Sequence, residues 1–445
     1  MKAKRKLLAW SIGSGLLISS ALYSGVSLAY VNKANLNNHI DSQDSKNNIE
    51  ITKPLSFNEK NIAVIPLIEA NGVYEINNDD LLKEDLFTTV KANASVFYVT
   101  DSNLNIEKAR INKKGNTSSL FQSNTTGLNS SLLVKDKGSL NVYRSNIKTN
   151  GLGAKGVYVS GLNSKAVINE TIIETNNEDS TGLESADSSK IISNNIAINT
   201  NGKHSIGIAS SNKGTLINNK GYIFTTGELS PAFYSAGNMI IENTNIETLS
   251  SPIGLLEGGN NVVLKDNNMK GNEGIKIVNV LPEKERAILN ISKGYLAVKN
   301  DYTFNVDNAS ALIRLEKVEI KNENNKLINM VSSTPNNVEI NIKNQYLKGD
   351  INNDINSKIV LAMNNGSIYE GCIINGASIC FDRTSKWDVK GDSHVGAINI
   401  PDDDVANIDR YIKTNGYKIK YEVESNKWLK GKKVRFKDGG YLIPA

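Results

Sequence analysis

An acidic run is the first feature of this sequence that could carry chemistry. Asp402, Asp403 and Asp404 follow Pro401 and offer carboxylate oxygens, the ligands that Ca²⁺ takes in proteins. The alternative, which we favour, is a solvated loop after the proline. We therefore assign no metal site and keep the three aspartates as weak candidates for one.

Sulfur and imidazole groups are scarce. The chain has two cysteines and three histidines, which excludes a disulfide scaffold, Cys-rich zinc and iron–sulfur sites. Cys372 and Cys380 bracket a turn and could form a disulfide in an oxidising compartment, or they could be inward-facing thiols packed as small apolar residues. His204 and His394 have no matched Ser, Asp or Cys partner in the sequence. We expect no catalytic residues and no cofactor.

Three aromatic residues are candidates for binding a ligand. Tyr158 and Tyr234 are predicted on an outward face, where their rings could stack on sugars. Trp387 could do the same, or it could fill the core of the last repeats.

These residues are positioned by a repeat with a period of about 25 residues. Each repeat gives one apolar residue to each of three columns, with a polar turn between the second and third. The first column is Leu140, Ala166, Ile191, Leu216 and Ile240. The second column is Ile147, Ile173, Ile198, Ile223 and Ile246. The third column is Val157, Leu183, Ile208, Phe233 and Leu255. A shorter sixth repeat adds Val263, Met269 and Ile275.

Three short apolar stretches per period, separated by Gly and Asn turns, predict three strands per turn of a solenoid. An α-solenoid would need helical periodicity, whereas this chain shows alternation and β-branched residues. The fold class we predict is all-β, a right-handed parallel β-helix with terminal caps. The outward neighbours of the third column share no common chemistry, so we expect a solvated face there: Tyr158, Glu184, Ala209, Tyr234 and Leu256.

Asparagine makes up roughly one residue in seven. Asn tolerates the left-handed backbone of tight corners, and stacked Asn side chains can hydrogen-bond along a ladder. An AT-rich genome would raise the Asn content as well, and both explanations stay open at this point.

The N-terminus has the pattern of a secretory signal peptide. A basic run precedes an apolar stretch that ends in Ser27-Leu28-Ala29, which predicts cleavage between Ala29 and Tyr30. The alternative is an uncleaved anchor. We predict five segments along the chain: a signal peptide (1–29), a disordered polar spacer (30–58), an N-terminal cap (59–110), a parallel β-helix (111–401) and a C-terminal β cap (402–445).

Charge argues against nucleic acid as a partner. The net charge is +5, but four positive charges precede residue 7, so the chain after Ala29 carries about +1. Nucleic-acid-binding proteins present a strongly basic face. Contact with a membrane is expected only through the signal segment.

Three segments resemble a known family: residues 156–161, 385–398 and 429–444. They are similar to passenger domains of autotransporter adhesins and other bacterial surface β-helix proteins, and the resemblance extends over about 90–445. It implies a right-handed parallel β-helix at the cell surface or secreted, often in adhesion. The sequence shows no translocator β-barrel, so we expect a secreted or loosely held protein.

The function we expect is therefore extracellular binding or adhesion without catalysis, with host or matrix glycans or proteins as partners. The alternative is a polysaccharide lyase or hydrolase of the same fold, and a further alternative is a structural surface module. A rigid stack of strands suits the first because it offers a long surface on which outward residues can vary.

Overall fold

The computed structural model describes residues 67–279, 285–354, 356–402 and 404–445. The chain divides into two compact units, Met1–Ala70 and Asn71–Ala445. In the first unit the described residues are 67–70, which have no regular secondary structure. The second unit is a parallel β-solenoid, and its described residues wind about 15 turns.

The second unit consists almost entirely of short strands. The first thirteen are β1 Gly72–Ile76, β2 Asp80–Lys83, β3 Leu86–Thr89, β4 Ser95–Thr100, β5 Asn103–Glu107, β6 Arg110–Lys113, β7 Leu132–Lys135, β8 Ser139–Tyr143, β9 Asn146–Thr149, β10 Val157–Ser160, β11 Lys165–Asn169, β12 Ile172–Thr175 and β13 Leu183–Ala186. The next fifteen are β14 Lys190–Thr200, β15 Ile208–Ser210, β16 Thr215–Thr225, β17 Phe233–Ser235, β18 Asn238–Thr248, β19 Pro252–Glu257, β20 Asn261–Lys265, β21 Asn268–Gly271, β22 Glu273–Val278, β23 Ala287–Ser292, β24 Tyr295–Val298, β25 Phe304–Asp307, β26 Ala311–Glu316, β27 Glu319–Asn322 and β28 Lys326–Val331.

The remaining coils and the C-terminal segment add thirteen strands and two short 3₁₀ helices. The strands are β29 Asn337–Lys343, β30 Tyr346–Lys348, β31 Asp350–Asn352, β32 Lys358–Asn364, β33 Ile368–Gly371, β34 Ile373–Ile374, β35 Ala377–Phe381, β36 Lys386–Val389, β37 Ser393–Asn399, β38 Ile412–Lys413, β39 Lys418–Tyr421, β40 Val434–Arg435 and β41 Tyr441–Pro444. The 3₁₀ helices are Val405–Arg410 and Lys427–Leu429.

Each coil places its strands in three parallel ladders. Ladder A runs β1-β4-β7-β10-β13-β15-β17-β19-β22-β25-β28-β31-β34. Ladder B runs from β2-β5-β8-β11 through the first halves of β14, β16 and β18 to β20-β23-β26-β29-β32-β35-β37-β39-β41. Ladder C runs from β3-β6-β9-β12 through the second halves of β14, β16 and β18 to β21-β24-β27. In later coils the sheet β30-β33-β36-β38 takes the corresponding place. The parallel β-helix predicted from the sequence is confirmed.

The second predicted column forms a continuous internal stack in ladder C. Ile173 lies opposite Ile147 and Ile198, and Ile223 lies opposite Ile198 and Ile246. All five side chains are at most 1% exposed. Burying a side chain of this size contributes about 1.5–3 kcal/mol relative to an exposed one, so the column is a main source of cohesion between coils.

The first predicted column is correct as far as Leu216 and then slips by one residue. Leu216 lies opposite Met239, and the next step pairs Met239 with Val262. Ile240 and Val263 therefore face outward, contrary to the sequence prediction. Successive side chains in a strand point to opposite faces, so an alignment error of one residue exchanges the inside for the outside.

The third predicted column fails at its last member for a packing reason. Phe233 lies opposite Gly254, while Leu255 lies opposite Tyr234 on the outward side. The Phe233 ring occupies the space that a β-carbon at position 254 would need. The ring of Phe233 therefore fills the interior space that a side chain at Gly254 would otherwise occupy.

Asparagine ladders occupy the corners, as expected. Asn176 Nδ2 donates to Asn150 Oδ1 at 2.9 Å, and Asn201 Nδ2 donates to Asn176 Oδ1 at 2.7 Å. A second ladder on ladder A joins Asn305, Asn329 and Asn352 through bonds of 3.2 and 2.9 Å. These side-chain amides hydrogen-bond from coil to coil alongside the backbone hydrogen bonds of the same residues.

One α-helix, α1 (Leu120–Thr126), interrupts the described strands, and the sequence analysis did not predict it. The Ser119 hydroxyl accepts from the Gln122 amide at the start of the helix, and Gly127 ends it with a φ of 71°. The helix lies against Tyr158 on the outer face of ladder A, since a β-carbon at Gly127 would collide with the Tyr158 ring.

The sequence predicted that the outer face of ladder A would be solvated, and this prediction is wrong. Tyr158, Glu184, Ala209 and Tyr234 are all at most 5% exposed. Leu256 points inward and is fully buried.

Several predictions on domain limits fall at the ends of the chain. The signal peptide, the cleavage position at Ala29 and Tyr30, and the spacer lie outside the described residues. Regular coils begin with β1 at Gly72, inside the segment predicted as the N-terminal cap. The segment 402–445 contains the antiparallel pair β40–β41.

Within the described ranges, no helix has the length and apolar character needed to cross a membrane.

Candidate functional site

The three aromatic residues proposed from the sequence are buried. The Tyr158 hydroxyl donates to the Thr125 carbonyl of α1 at 3.0 Å, and burial raises its pKa well above the usual value, with a smaller contribution from Glu184. The Tyr234 side chain is 3% exposed, and its hydroxyl donates to Glu257 Oε2 at 2.8 Å. Neither ring is available to stack on a sugar, so the prediction of an exposed aromatic surface at these positions is wrong.

Trp387 follows the second of its two predicted possibilities. It is fully buried, stacks on Tyr369 with 6.0 Å between ring centroids, and donates from Nε1 to the Gly371 carbonyl at 2.9 Å. Its position in β36 is the inward one, so Trp387 fills the core.

The acidic run makes hydrogen bonds within the protein. Asp404 caps a 3₁₀ helix, because its Oδ1 accepts from the Ala406 amide at 2.9 Å. Asp402 Oδ2 accepts from the Tyr411 hydroxyl at 3.3 Å. Asp403 lies outside the described residues. Both described carboxylates therefore have hydrogen-bond donors within the protein.

Both cysteines are free thiols. Cys372 lies between β33 and β34, and burial together with Asp350 raises its pKa to about 12. Cys380 lies opposite Ala362 on the outward side of β35, where its Sγ accepts from Asn399 Nδ2 at 3.1 Å. Neither predicted alternative holds: the residues are not bonded, and Cys380 does not point inward.

The described residues place a different set of aromatic and polar side chains on the outer surface of ladder C. We call this surface the ladder C face and define it by residues on four consecutive strands: Tyr222 and Phe224 on β16, Asn245 and Glu247 on β18, Asn268 and Lys270 on β21, and Tyr295 on β24. Each faces outward because it flanks an inward residue of the second column. The strand alternation that buries the isoleucines thus exposes these side chains.

Stacked rings lie at one end of this face. The Tyr222 and Phe224 rings have centroids 5.9 Å apart and planes inclined by 23°. Both are partly exposed. The Tyr222 hydroxyl donates to Glu247 Oε2 at 3.4 Å, and desolvation together with that carboxylate raises the pKa of Tyr222. The tyrosine is therefore neutral at ordinary pH and offers an apolar ring with a polar tip.

Two depressions flank Lys270 on the ladder C face. The first, of about 230 Å³, is lined by Tyr222, Asn245, Ile246, Glu247, Asn268 and Lys270. The second, of about 160 Å³, is bordered by Lys270, Tyr295, Ala297, Lys299, Lys321 and Glu323, among others. Lys270 lines both, so the two depressions adjoin each other, and we refer to them together as the path around Lys270. Aromatic rings, amides and a cation in such a path suit a polyhydroxylated ligand.

Glycoside hydrolysis is the reaction with which the carboxylates of these depressions can be compared. That reaction commonly uses two carboxyl groups on either side of the scissile bond. Glu247 is the one carboxylate lining the first depression and Glu323 the one lining the second. Across the two depressions, this face presents two carboxylates.

A third depression, of about 430 Å³, lies on ladder B. Its charged groups already have partners: Lys343 Nζ is 3.4 Å from Glu316 Oε1, and Arg314 donates to Asn290 at 3.2 Å. A ligand would have to displace these contacts, so this site is the weaker candidate.

The ladder C face was not predicted from the sequence, because its residues flank the second column and the predicted outer face was that of the third column. The neighbours of Ile223 are Tyr222 and Phe224, and Tyr295 precedes the equivalent inward Leu296. Inspecting both sides of the second column would have found them. No protein-family model matches the chain, and no curated protein matches it.

Proposed function

We propose that the protein is an exported, non-catalytic binding protein of the bacterial surface, and that it holds an extended glycan along the ladder C face. The observation that carries the proposal is the path around Lys270, with the Tyr222–Phe224 pair at one end and Tyr295 at the other. The signal-like N-terminus and the resemblance to autotransporter passenger domains support export and an adhesin-like role.

The physical basis is the match between a periodic surface and a periodic polymer. Neighbouring strands lie about 4.8 Å apart, so the three steps from Tyr222 to Tyr295 span about 14 Å. Several sugar units can contact rings and amides over that length without any change in the protein. Stacked coils form a rigid scaffold, so little conformational entropy is lost on binding.

A polysaccharide panel tests this proposal. The full chain is incubated with charged and neutral polysaccharides, with and without Ca²⁺, while binding is followed by affinity electrophoresis and product release by reducing-sugar assay. We expect retention by at least one polysaccharide without products. Release of products would favour the lyase or hydrolase alternative. Absence of binding to every glycan, with binding to a matrix protein, would overturn the choice of ligand.

A further inference from the structure

Asp179 and His204 occupy the same position in successive coils, at the corner between ladders C and A. The Asp179 amide donates to the Lys203 carbonyl at 3.0 Å, and the His204 amide donates to the Glu228 carbonyl at 2.9 Å. Both residues have a φ of 54°, in the left-handed region. The corner therefore holds the two side chains one above the other through the backbone of the coil.

Glu178 brings a third potential ligand to this corner. One ligand atom from each of Glu178, Asp179 and His204 lies within 4.8 Å of the others, and His204 Nδ1 is 3.4 Å from Glu178 Oε1. Zn²⁺ binds nitrogen and oxygen at about 2.0–2.2 Å, which sets neighbouring atoms of a tetrahedral site about 3.4 Å apart. The histidine and glutamate already have this separation, and small side-chain movements bring in the aspartate.

A contact from outside the coil orients the buried carboxylate. Asp179 is 7% exposed, and its Oδ1 accepts from Asn124 Nδ2 of helix α1 at 3.0 Å. Metal-binding carboxylates are characteristically held by such outer hydrogen bonds. A cation here would join two coils to the helix that covers ladder A.

The charges at the corner suit a divalent cation. Glu178 and Asp179 both offer carboxylate oxygens, and Asp179 is 7% exposed. Lys155 is itself paired with Glu184 in a buried ion pair. A buried carboxylate gains most from a full countercharge close to it.

Neighbouring corners do not repeat these residues. The hydrogen-bond pattern makes Gly153 and Leu229 the equivalents of Asp179 and His204 in the adjoining coils. Neither can bind a metal through its side chain. The cluster is therefore a local feature and not a consequence of the repeat.

We propose that Glu178, Asp179 and His204 form a binding site for one divalent transition-metal ion, of which Zn²⁺ is the best match. An imidazole nitrogen with two carboxylates favours Zn²⁺ over Ca²⁺ or Mg²⁺, which take oxygen ligands. The site is independent of the glycan proposed for the ladder C face.

Zinc binding to the full chain, with any polyhistidine tag removed, tests the proposal. The protein is stripped with a chelator and dialysed against ZnCl₂ or CaCl₂, and bound metal is measured by elemental analysis and calorimetry. We expect one Zn²⁺ per chain, Ca²⁺ binding at least tenfold weaker, and an increase in melting temperature with Zn²⁺.

Two variants locate the ion. His204→Ala should weaken Zn²⁺ binding at least tenfold, while His394→Ala, which removes an exposed histidine paired with Glu422, should leave it unchanged. Glu178→Gln, at a partly exposed position, repeats the test if His204→Ala does not fold. Absence of Zn²⁺ binding by the unmodified chain, or equal loss in the two histidine variants, would overturn the site.

Discussion

Phe233 and Gly254 lie opposite each other in ladder A, and the ring of one fills the space left by the missing side chain of the other. The pair replaces two medium-sized residues at one level of the stack. The two positions fill one interior space together. A change in the size of either side chain therefore disturbs the packing of the other.

Gly254→Ala should therefore destabilise the protein by about 1–3 kcal/mol, the usual effect of overpacking a core. Gly391→Ala is the matched control, because the nearest atoms to its β-carbon would be those of Cys372 at 3.6 Å. Urea unfolding followed by circular dichroism measures both. Adding Phe233→Leu to Gly254→Ala should recover part of the loss, and equal stabilities for the two alanine variants would contradict the packing argument.

Adjacent isoleucines in β12 test the alternation of the ladder. Ile173→Ala should cost about 2–5 kcal/mol, because it leaves a cavity in the internal column. Ile172→Ala, at a side chain that is 48% exposed, should cost less than about 1 kcal/mol. The difference in free energy of unfolding is the measurement, and a larger effect at Ile172 would mean that the register is wrong.

Lys113 carries a buried ammonium group at a position where later coils have threonine. Its Nζ donates to the carbonyls of Lys91 and Gly115 at 2.9 and 2.7 Å, and burial lowers its pKa to about 8. The unfolded chain keeps its proton up to about pH 10.5, so between pH 8 and 10.5 the unfolded state binds more protons. Stability attributable to this group therefore rises across that window.

Lys113→Met removes the charge at similar length. The depressed pKa corresponds to about 3 kcal/mol, so the variant should be more stable than the parent by up to that amount at pH 7. The advantage should shrink as the pH approaches 10. The measurement is the free energy of unfolding of both proteins at pH 7 and at pH 10. If the difference between the two proteins is the same at both pH values, the ammonium group is not desolvated.

Removing the rings of the ladder C face should weaken glycan binding. Tyr222→Ala combined with Tyr295→Ala loses two aromatic contacts of about 1 kcal/mol each, which predicts an affinity lower by about thirtyfold. Tyr417→Ala, at an exposed ring outside this face, is the control. Calorimetry with the polysaccharide selected above measures the affinities. Equal binding by all three proteins would place the ligand elsewhere.

The cysteines should react as two separate thiols. Because the pKa of Cys372 is raised to about 12, its thiolate fraction at pH 8 is very small and alkylation in the folded state should be slow. In denaturant without reductant, two thiols per chain should react with iodoacetamide. Mass spectrometry counts the adducts, and a chain that takes up none would contain the disulfide that the structure lacks.

The fold could be predicted from the sequence because a β-helix is nearly one-dimensional. Each coil contacts its neighbours, so three columns with a fixed period specify the inside of the stack. The second column was correct at every member. The other two failed where the coil length changes: Ile191 and Leu216 are 25 residues apart, Leu216 and Met239 are 23 apart, and Phe233 and Gly254 are 21 apart. An alignment by period cannot show which residue a shortened turn omits.

The candidate sites were less predictable, because they depend on what lies outside the coils. Nothing in the repeat indicated that α1 would cover Tyr158, or that Asn124 would reach Asp179. Glu178 and Asp179 are 26 and 25 residues before His204, and their proximity appears once the coils are stacked.

The alternating strands, the Asn-rich corners and the internal stack of isoleucines could be predicted from the amino-acid sequence alone. These follow from local alternation and from backbone preferences that act within each coil. The packing of the folded coils sets which outward side chains are covered, which rings remain exposed beside Lys270, and which ligand atoms meet at a corner. Those outcomes depend on the helix packed against the coils and on the distances between coils. These distances are fixed when side-chain packing sets the register of the strands.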